Sequence, residues 1–279
     1  MAVVTPRKSQ EEVLRTLASL PPLPAIALRV MQVAQDPKSS ASDLALVVST
    51  DPGLTASMLR VTNSAAYRRT REITAIQEAL VVLGFVQARN IAISGAITGS
   101  YAPDAANALF RIDGFWRHSL AVAVRASWLA MKSGRVAPPS AFTAGIVHNM
   151  GRLAMFYADP AGLDQAVAEA MRNGQSIEIA ESELLGYDHA QLGQLLAMKW
   201  RLPQEVREAI GAHHGAEGMD TLGGVVAAAD RYCCERGVLP GYVIPGLRKP
   251  GADPEFEKLM REVDTLMELI DGHPVGVRS

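Results

Sequence analysis

The chain has 279 residues, 48% of them apolar and 20% charged, and its 27 basic and 29 acidic side chains leave a formal net charge of −2. Length and composition describe one or two folded domains with a sizeable core and exclude a disordered polymer. The charge balance excludes an overall field that draws the protein to nucleic acid or anionic lipid, so binding of either kind needs a local patch and neither is expected.

Residues 1–10 carry no apolar signal core, and the longest apolar run, ALVVLGFV at 79–86, is too short to cross a bilayer. A cytosolic chain without membrane attachment is expected. The first helix is predicted after the Leu-Pro entry at 20–24, with Ile26, Val30, Val33 and Ala34 along one face and a stop at Asp36 and Pro37. Ser40 and Asp43 form a capping box with the shorter acid, and Asp51 with Pro52 reads as the N-cap and first position of the next helix. Thr74 and Gln77 repeat the box before ALVVL, which Gly84 ends. Further helices are predicted over 86–99, 115–132, 140–157, 161–172, 177–185, 189–200, 204–213, 221–236 and 254–270. The runs LVVS and ALVVLG have β-branched residues but lie between helix caps and stops, so the fold class is all-α.

Gly99, Pro103 and Asp104 suggest a hinge between two helical lobes. The irregular segment at 237–252 is long for a compact fold, and reads as a disordered connector with a partner-binding arm as the alternative. Cys233 and Cys234 match no metal spacing and are expected to pack as small apolar groups. The helix at 254–270 has an apolar face of Phe256, Leu259, Met260, Val263, Leu266, Met267 and Ile270, suited to its own domain, a partner or a second copy of the chain. Arg60, Arg68, Arg69 and Arg71 gather around Tyr67; a solvated helix end is the plainer reading than phosphate or nucleic-acid binding. Asn63 and Ser64 are expected to cap or cross-link helices. Trp116, Trp128 and Trp200 are expected in the core, with Trp116 a candidate wall of a histidine pocket.

The six histidines are His118, His148, His189, His213, His214 and His273. Singly, each is an ordinary packed or surface histidine. The first five and Asp230 come from five separate predicted helices, His213 and His214 as a pair, as a metal site built from converging elements requires.

That order, with GIVHNMG at 145–151 and the pair at 213–214, resembles the HD superfamily of metal-dependent phosphohydrolases and its HD-GYP branch. The segments DPGLTASMLRVTNSA, ITAIQEALVVLGF, FTAGIVHNMGRL, ESELLGYDHAQLGQLLAMKWRLP and AIGAHH sharpen this to a resemblance to the HDOD family, HD-related output domains of bacterial signalling proteins. The resemblance covers 15–235, with an N-terminal helical lobe at 15–98 and an HD-like helical lobe at 113–235; 236–279 is left as loop and amphipathic helix.

It implies a non-catalytic output or adaptor protein that acts on other signalling proteins, such as a diguanylate cyclase, a phosphodiesterase or a histidine kinase. Homo-oligomers are compatible with it. It also implies the metal-ligand positions His118, His148, Asn149, His189, His213, His214 and Asp230. Asn149 stands where the related phosphodiesterases carry the Asp that bridges two metals, and a neutral amide cannot supply that charge. A metal-free relict pocket, hence no cofactor, is the first expectation, and a single transition-metal ion the second. Arg152 is a candidate phosphate contact. A phosphodiesterase working with Asn149, and a nucleotide-binding sensor, remain the alternatives. With no receiver or catalytic domain in the sequence, input is expected through binding or expression level.

Overall fold

A computed structural model describes residues 15, 17–18, 20–64, 67, 72–98, 101, 110–242 and 253–271, with side chains to 267. Every regular element among them is an α-helix, and no single described helix is long and apolar enough to cross a membrane. Backbone contacts divide the chain into two compact units, Leu23–Ala102 with Pro254–Ser279, and Met1–Pro22 with Pro103–Asp253.

The first unit holds α1 (Ala25–Gln35), α2 (Ala41–Ser49), α3 (Pro52–Thr62), α4 (Ile76–Leu83), α5 (Phe85–Thr98) and the last helix, α14 (Pro254–Asp271). Its caps follow the local sequence. Ser40 Oγ accepts from Asp43 N while Asp43 accepts from Ser40 N, and Asp51 accepts from Leu54 N with Pro52 in the first turn. Two details differ from the expectation. The buried face of α1 is Ala27, Val30, Met31 and Ala34, which keeps one stripe at i, i+3, i+4 and i+7, while Ile26 and Val33 are half-buried. Helix α4 is preceded by Ala75 with no side-chain cap, so Thr74 and Gln77 form no box, although Gly84 ends the helix at φ 74°.

Helix α5 is buried on all sides from Ala88 to Thr98, and α1, α3, α4 and α14 pack on it. Asn63 donates to the carbonyls of Leu59 and Ile73 and accepts from Ile73 N, cross-linking the end of α3 to the strand of chain before α4. Arg68, Arg69 and Arg71, the hinge residues Gly99, Pro103 and Asp104, and His273 lie outside the described residues. The expected boundaries set 236–279 apart from both lobes. Instead Leu259, Val263, Leu266 and Met267 of α14 are buried and the helix packs on α3 and α5. An amphipathic pattern fixes which face a helix buries; it does not say against what.

The second unit holds α6 (Ile112–Ser133), α7 (Pro138–Val147), α8 (Met150–Ala158), α9 (Pro160–Asn173), α10 (Ile177–Leu185), α11 (His189–Lys199), α12 (Gln204–Ala212) and α13 (Leu222–Glu235). Helix α6 packs along α7 and α13, α11 packs against α8 and α12, and α13 closes on α7 and α12. Two glycines let backbones meet. A Cβ on Gly145 would lie 2.6 Å from Ala123 Cα, and one on Gly151 would lie 2.0 Å from the His189 carbonyl oxygen and 2.6 Å from Gly193 N. Both neighbours are backbone and cannot rotate away. Gly151→Ala is therefore expected to lower stability by about 1–3 kcal/mol through overpacking, read as a lower urea midpoint at unchanged slope; a wild-type midpoint would mean that α8 and α11 separate freely.

The helix expected over 140–157 is two helices. His148 ends α7, and Asn149 leaves helical geometry at φ −98°, ψ 10° before α8 begins at Met150. Continuous apolar helix pattern on both sides concealed this break, and it falls on the His-Asn pair itself.

Candidate metal centre

The second unit brings all seven sequence-derived positions to one place. His118 lies in the first third of α6, His148 at the C-cap of α7, Asn149 at the N-cap of α8, His189 at the start of α11, His213 at the C-cap of α12 with His214 after it, and Asp230 on α13. Six of them form two groups with ligand atoms within 4.8 Å of one another: His118, His148 and Asp230, and His189, His213 and His214. The ring centroids of His148 and His213 are 5.0 Å apart, so the groups adjoin.

Helix ends set the ring orientations. The last carbonyls of a helix lack intrahelical donors, and His148 Nδ1 lies 2.7 Å from the Gly145 oxygen while His213 Nδ1 lies 2.7 Å from the Ile210 oxygen, each three residues back. His118 Nδ1 is likewise 2.7 Å from the Val238 oxygen. A carbonyl only accepts, so all three rings carry a proton on Nδ1 and, when neutral, turn a bare Nε2 lone pair into the site. This is the outer-shell arrangement that prepares histidine for a metal.

In the first group those lone pairs face each other. His118 Nε2 is 3.4 Å from His148 Nε2, and Asp230 Oδ1 is 3.1 Å from the former and 3.9 Å from the latter. Three acceptors at these distances repel unless a proton or another cation stands among them. Burial drives His148 down to about 3, against the pull of Asp230, so this ring is neutral at physiological pH. Burial pushes Asp230 up, but its contact with the His118 ring and the neighbouring histidines outweigh burial and hold the carboxyl well below the usual range; that contact is a hydrogen bond only when a proton stands on His118 Nε2, where an ion would otherwise lie. The group therefore offers two imidazoles and an anion, a donor set that suits Zn, Fe or Ni.

The second group is arranged otherwise. His189 Nδ1 donates to Glu181 Oε2 at 2.5 Å, which leaves its Nε2 as an acceptor, and His214 Nε2 approaches that nitrogen at 2.8 Å as the donor. Arg152 Nη2 lies 3.0 and 3.2 Å from the two ring nitrogens of His189, and Arg152 Nε lies 3.4 Å from Glu181 Oε1. Glu181 also accepts from His189 N at 2.9 Å, satisfying a free amide at the start of α11. Burial pushes the Glu181 carboxyl up to about 7, with Arg152 opposing. Burial, Arg152 and the adjoining histidines all lower His189, and burial leads in lowering His213 and His214.

Sequence reasoning missed Glu181. Its signal was an acid on the apolar face of a helix, four residues after Ile177 and four before Leu185.

A cavity of about 740 Å³ opens beside the two groups, lined among others by Asn149, Arg152, His213, Asp230, Cys234 and Tyr242. His213 Nε2, Asn149 Oδ1 and Arg152 Nη1 are buried there without a hydrogen-bond partner among the described residues. Arg152, expected as a phosphate contact, is thus mostly committed inside the protein. Cys233 is fully buried as expected, but Cys234 turns its Sγ to within 3.4 Å of Asp230 Oδ1. The irregular segment after α13 also reaches the site, through the Val238 carbonyl and through Tyr242, whose ring lies 5.7 Å from the Arg152 guanidinium carbon. Residues 243–252 lie outside the described residues. Trp116 is buried but is not part of the cavity lining.

The family model of the HDOD domain matches residues 20–216. The chain belongs to the HDOD domain family. An HDOD domain protein of unknown function from Geobacter sulfurreducens superimposes with a TM-score of 0.71 at 25% identity over 94% of this chain and 88% of that one. A candidate phosphohydrolase from Shewanella amazonensis SB2B has a TM-score of 0.67 at 27% identity, covering 94% and 98%. A candidate signal transduction protein from Marinobacter aquaeolei VT8 shares the fold, with a TM-score of 0.72 at 23% identity over 96% and 63%. An uncharacterized protein of Treponema pallidum (strain Nichols) is 24% identical over 200 residues, 70% of this chain and 37% of its own length. The HDOD chain described here thus spans well under half of that relative.

Proposed function

We propose that this HDOD chain is a non-catalytic output module of bacterial signal transduction that works through contacts with other signalling proteins and holds one transition-metal ion at His118, His148 and Asp230. The observation that carries the reading is the count of anions. Among the seven ligand positions Asp230 alone is a carboxylate, and it lies against His118 and His148. One carboxylate and neutral imidazoles suit one dication; a bridged pair of dications needs a shared anion, and Asn149 offers a neutral amide. Of the two states open from sequence, the facing acceptors favour the single ion over the empty relict. Such an ion, when bound, supplies the positive charge that joins α6, the α7–α8 junction and α13.

The test uses purified chain loaded with zinc, iron or nickel. About one ion per chain is expected, with no turnover of cyclic dinucleotides, and signalling proteins retained from host extract by immobilised chain are expected to be retained equally by folded His148→Ala. Two tightly held ions with turnover would make the chain a phosphodiesterase instead. A second reading has the cavity and its unpartnered Arg152 Nη1 in its favour: calorimetric binding of a cyclic dinucleotide without turnover would make the module a nucleotide sensor.

A further inference from the structure

We infer that Arg152 is a built-in cation that takes the place of a second metal ion, its guanidinium lodged against His189 in the second histidine group and anchored there by Glu181. The inference rests on the one-ion reading of the same cluster and explains how the other half of the cluster is closed. Two groups of three ligands adjoin in this unit, yet only one of them has its lone pairs turned inward together.

In the second group, the lone pair and the charge around His189 are already balanced internally. The His189 Nε2 lone pair accepts from His214 Nε2, and Arg152 Nη2 straddles the His189 ring instead of lying along one lone pair. Arg152 is 1% exposed and Glu181 and His189 are fully buried, so this cation is neither screened by water nor free to swing out. Glu181 fixes both partners: it faces Arg152 Nε and accepts both the ring N–H and the backbone N–H of His189. A dication brought to His189, His213 and His214 meets a fixed positive charge at contact distance, without an added anion to offset it. Among the buried atoms of the group, His213 Nε2 has no hydrogen-bond partner among the described residues, while the exposed His214 has its Nε2 committed to His189; a single buried imidazole does not hold an ion.

The arrangement predicts that restoring the missing anion is not enough. Asn149→Asp puts a carboxylate back beside the cluster but leaves Arg152 in place. Arg152→Met with Glu181→Gln removes the cation together with its counter-charge, so that no buried charge is stranded. Cobalt(II) binding is counted by calorimetry and by the visible absorption of the bound ion, on preparations whose helical circular dichroism matches wild type.

Asn149→Asp is expected to bind as many ions as wild type, and Asn149→Asp with Arg152→Met and Glu181→Gln to bind one more. A second ion in Asn149→Asp alone overturns the inference, and so does an unchanged count in the folded triple variant. If the triple variant does not fold, Asn149→Asp with Arg152→Gln, which keeps a hydrogen-bonding group beside Glu181, is read by the same two outcomes. The wild-type count tests the one-ion reading, whereas the gain between variants tests the role of Arg152, so the two fail separately.

Discussion

Asp230→Asn is expected to strip the HDOD chain of its ion while leaving its fold in place. The substitution is isosteric and keeps an oxygen opposite His118 and His148, but removes the only anion among the described residues that lies against them. Loss of an outer-shell partner typically weakens a metal site about 10–100-fold, and loss of the sole charged ligand is expected to exceed about 100-fold. Because an ion that binds only the folded chain stabilises it by about 2.7 kcal/mol at a hundred times its dissociation constant, the effect is also visible in unfolding. Wild type is expected to lose stability of that order when a chelator is added, and Asp230→Asn to be indifferent to it. A wild-type chain whose urea midpoint ignores the chelator, or an Asp230→Asn chain that still responds, would sink the site as assigned. His148→Ala serves as the companion, since it removes one lone pair and keeps the anion.

How far the sequence could be read differs between the fold and the site for physical reasons. Helix starts with a side chain committed to a free amide, such as Ser40 and Asp51, are local events, and the structure has both as expected. The break at His148 and Asn149 was invisible because apolar periodicity continues across it. What stops the helix is the turn that ring and backbone make together, with His148 bonding back to Gly145. The six polar ligands and Asn149 were legible as a list because histidine is rare in this chain and its spacing resembles a known family. Their division into an open group and a closed one was not legible, since it depends on Glu181 and Arg152, which meet across twenty-nine positions of sequence. Glu181 sat among charged neighbours in ESELLG, where only its place on the stripe from Ile177 to Leu185 set it apart. The placement of α14 was equally hidden, being a property of the surface that receives it.

The buried ion pair behind the closed group leads to the second large effect. Arg152→Ala is expected to destabilise the chain by about 3–5 kcal/mol, because it takes the guanidinium from the fully buried Glu181, whose carboxyl must then stay charged without a partner or take up a proton. The lost packing of a long side chain adds to this, so Arg152→Met, which refills much of the volume, separates the two contributions. If stranded charge dominates, Arg152→Met alone remains nearly as destabilised as Arg152→Ala. Adding Glu181→Gln to Arg152→Met is then expected to recover most of the loss, since a buried pair replaced as a unit by neutral groups is often neutral or stabilising by about 1–4 kcal/mol. The two single changes and the double change form a cycle, and a coupling of about 0.5–3 kcal/mol is the range for residues in one network. Additive singles would mean that Arg152 and Glu181 do not act on each other, and that His189 is held by Glu181 alone. A strong coupling would mean instead that the fold retains a costly buried pair beside an otherwise metal-competent group of histidines. Such a pair adds little to net stability, so its value to the chain lies in keeping that group closed.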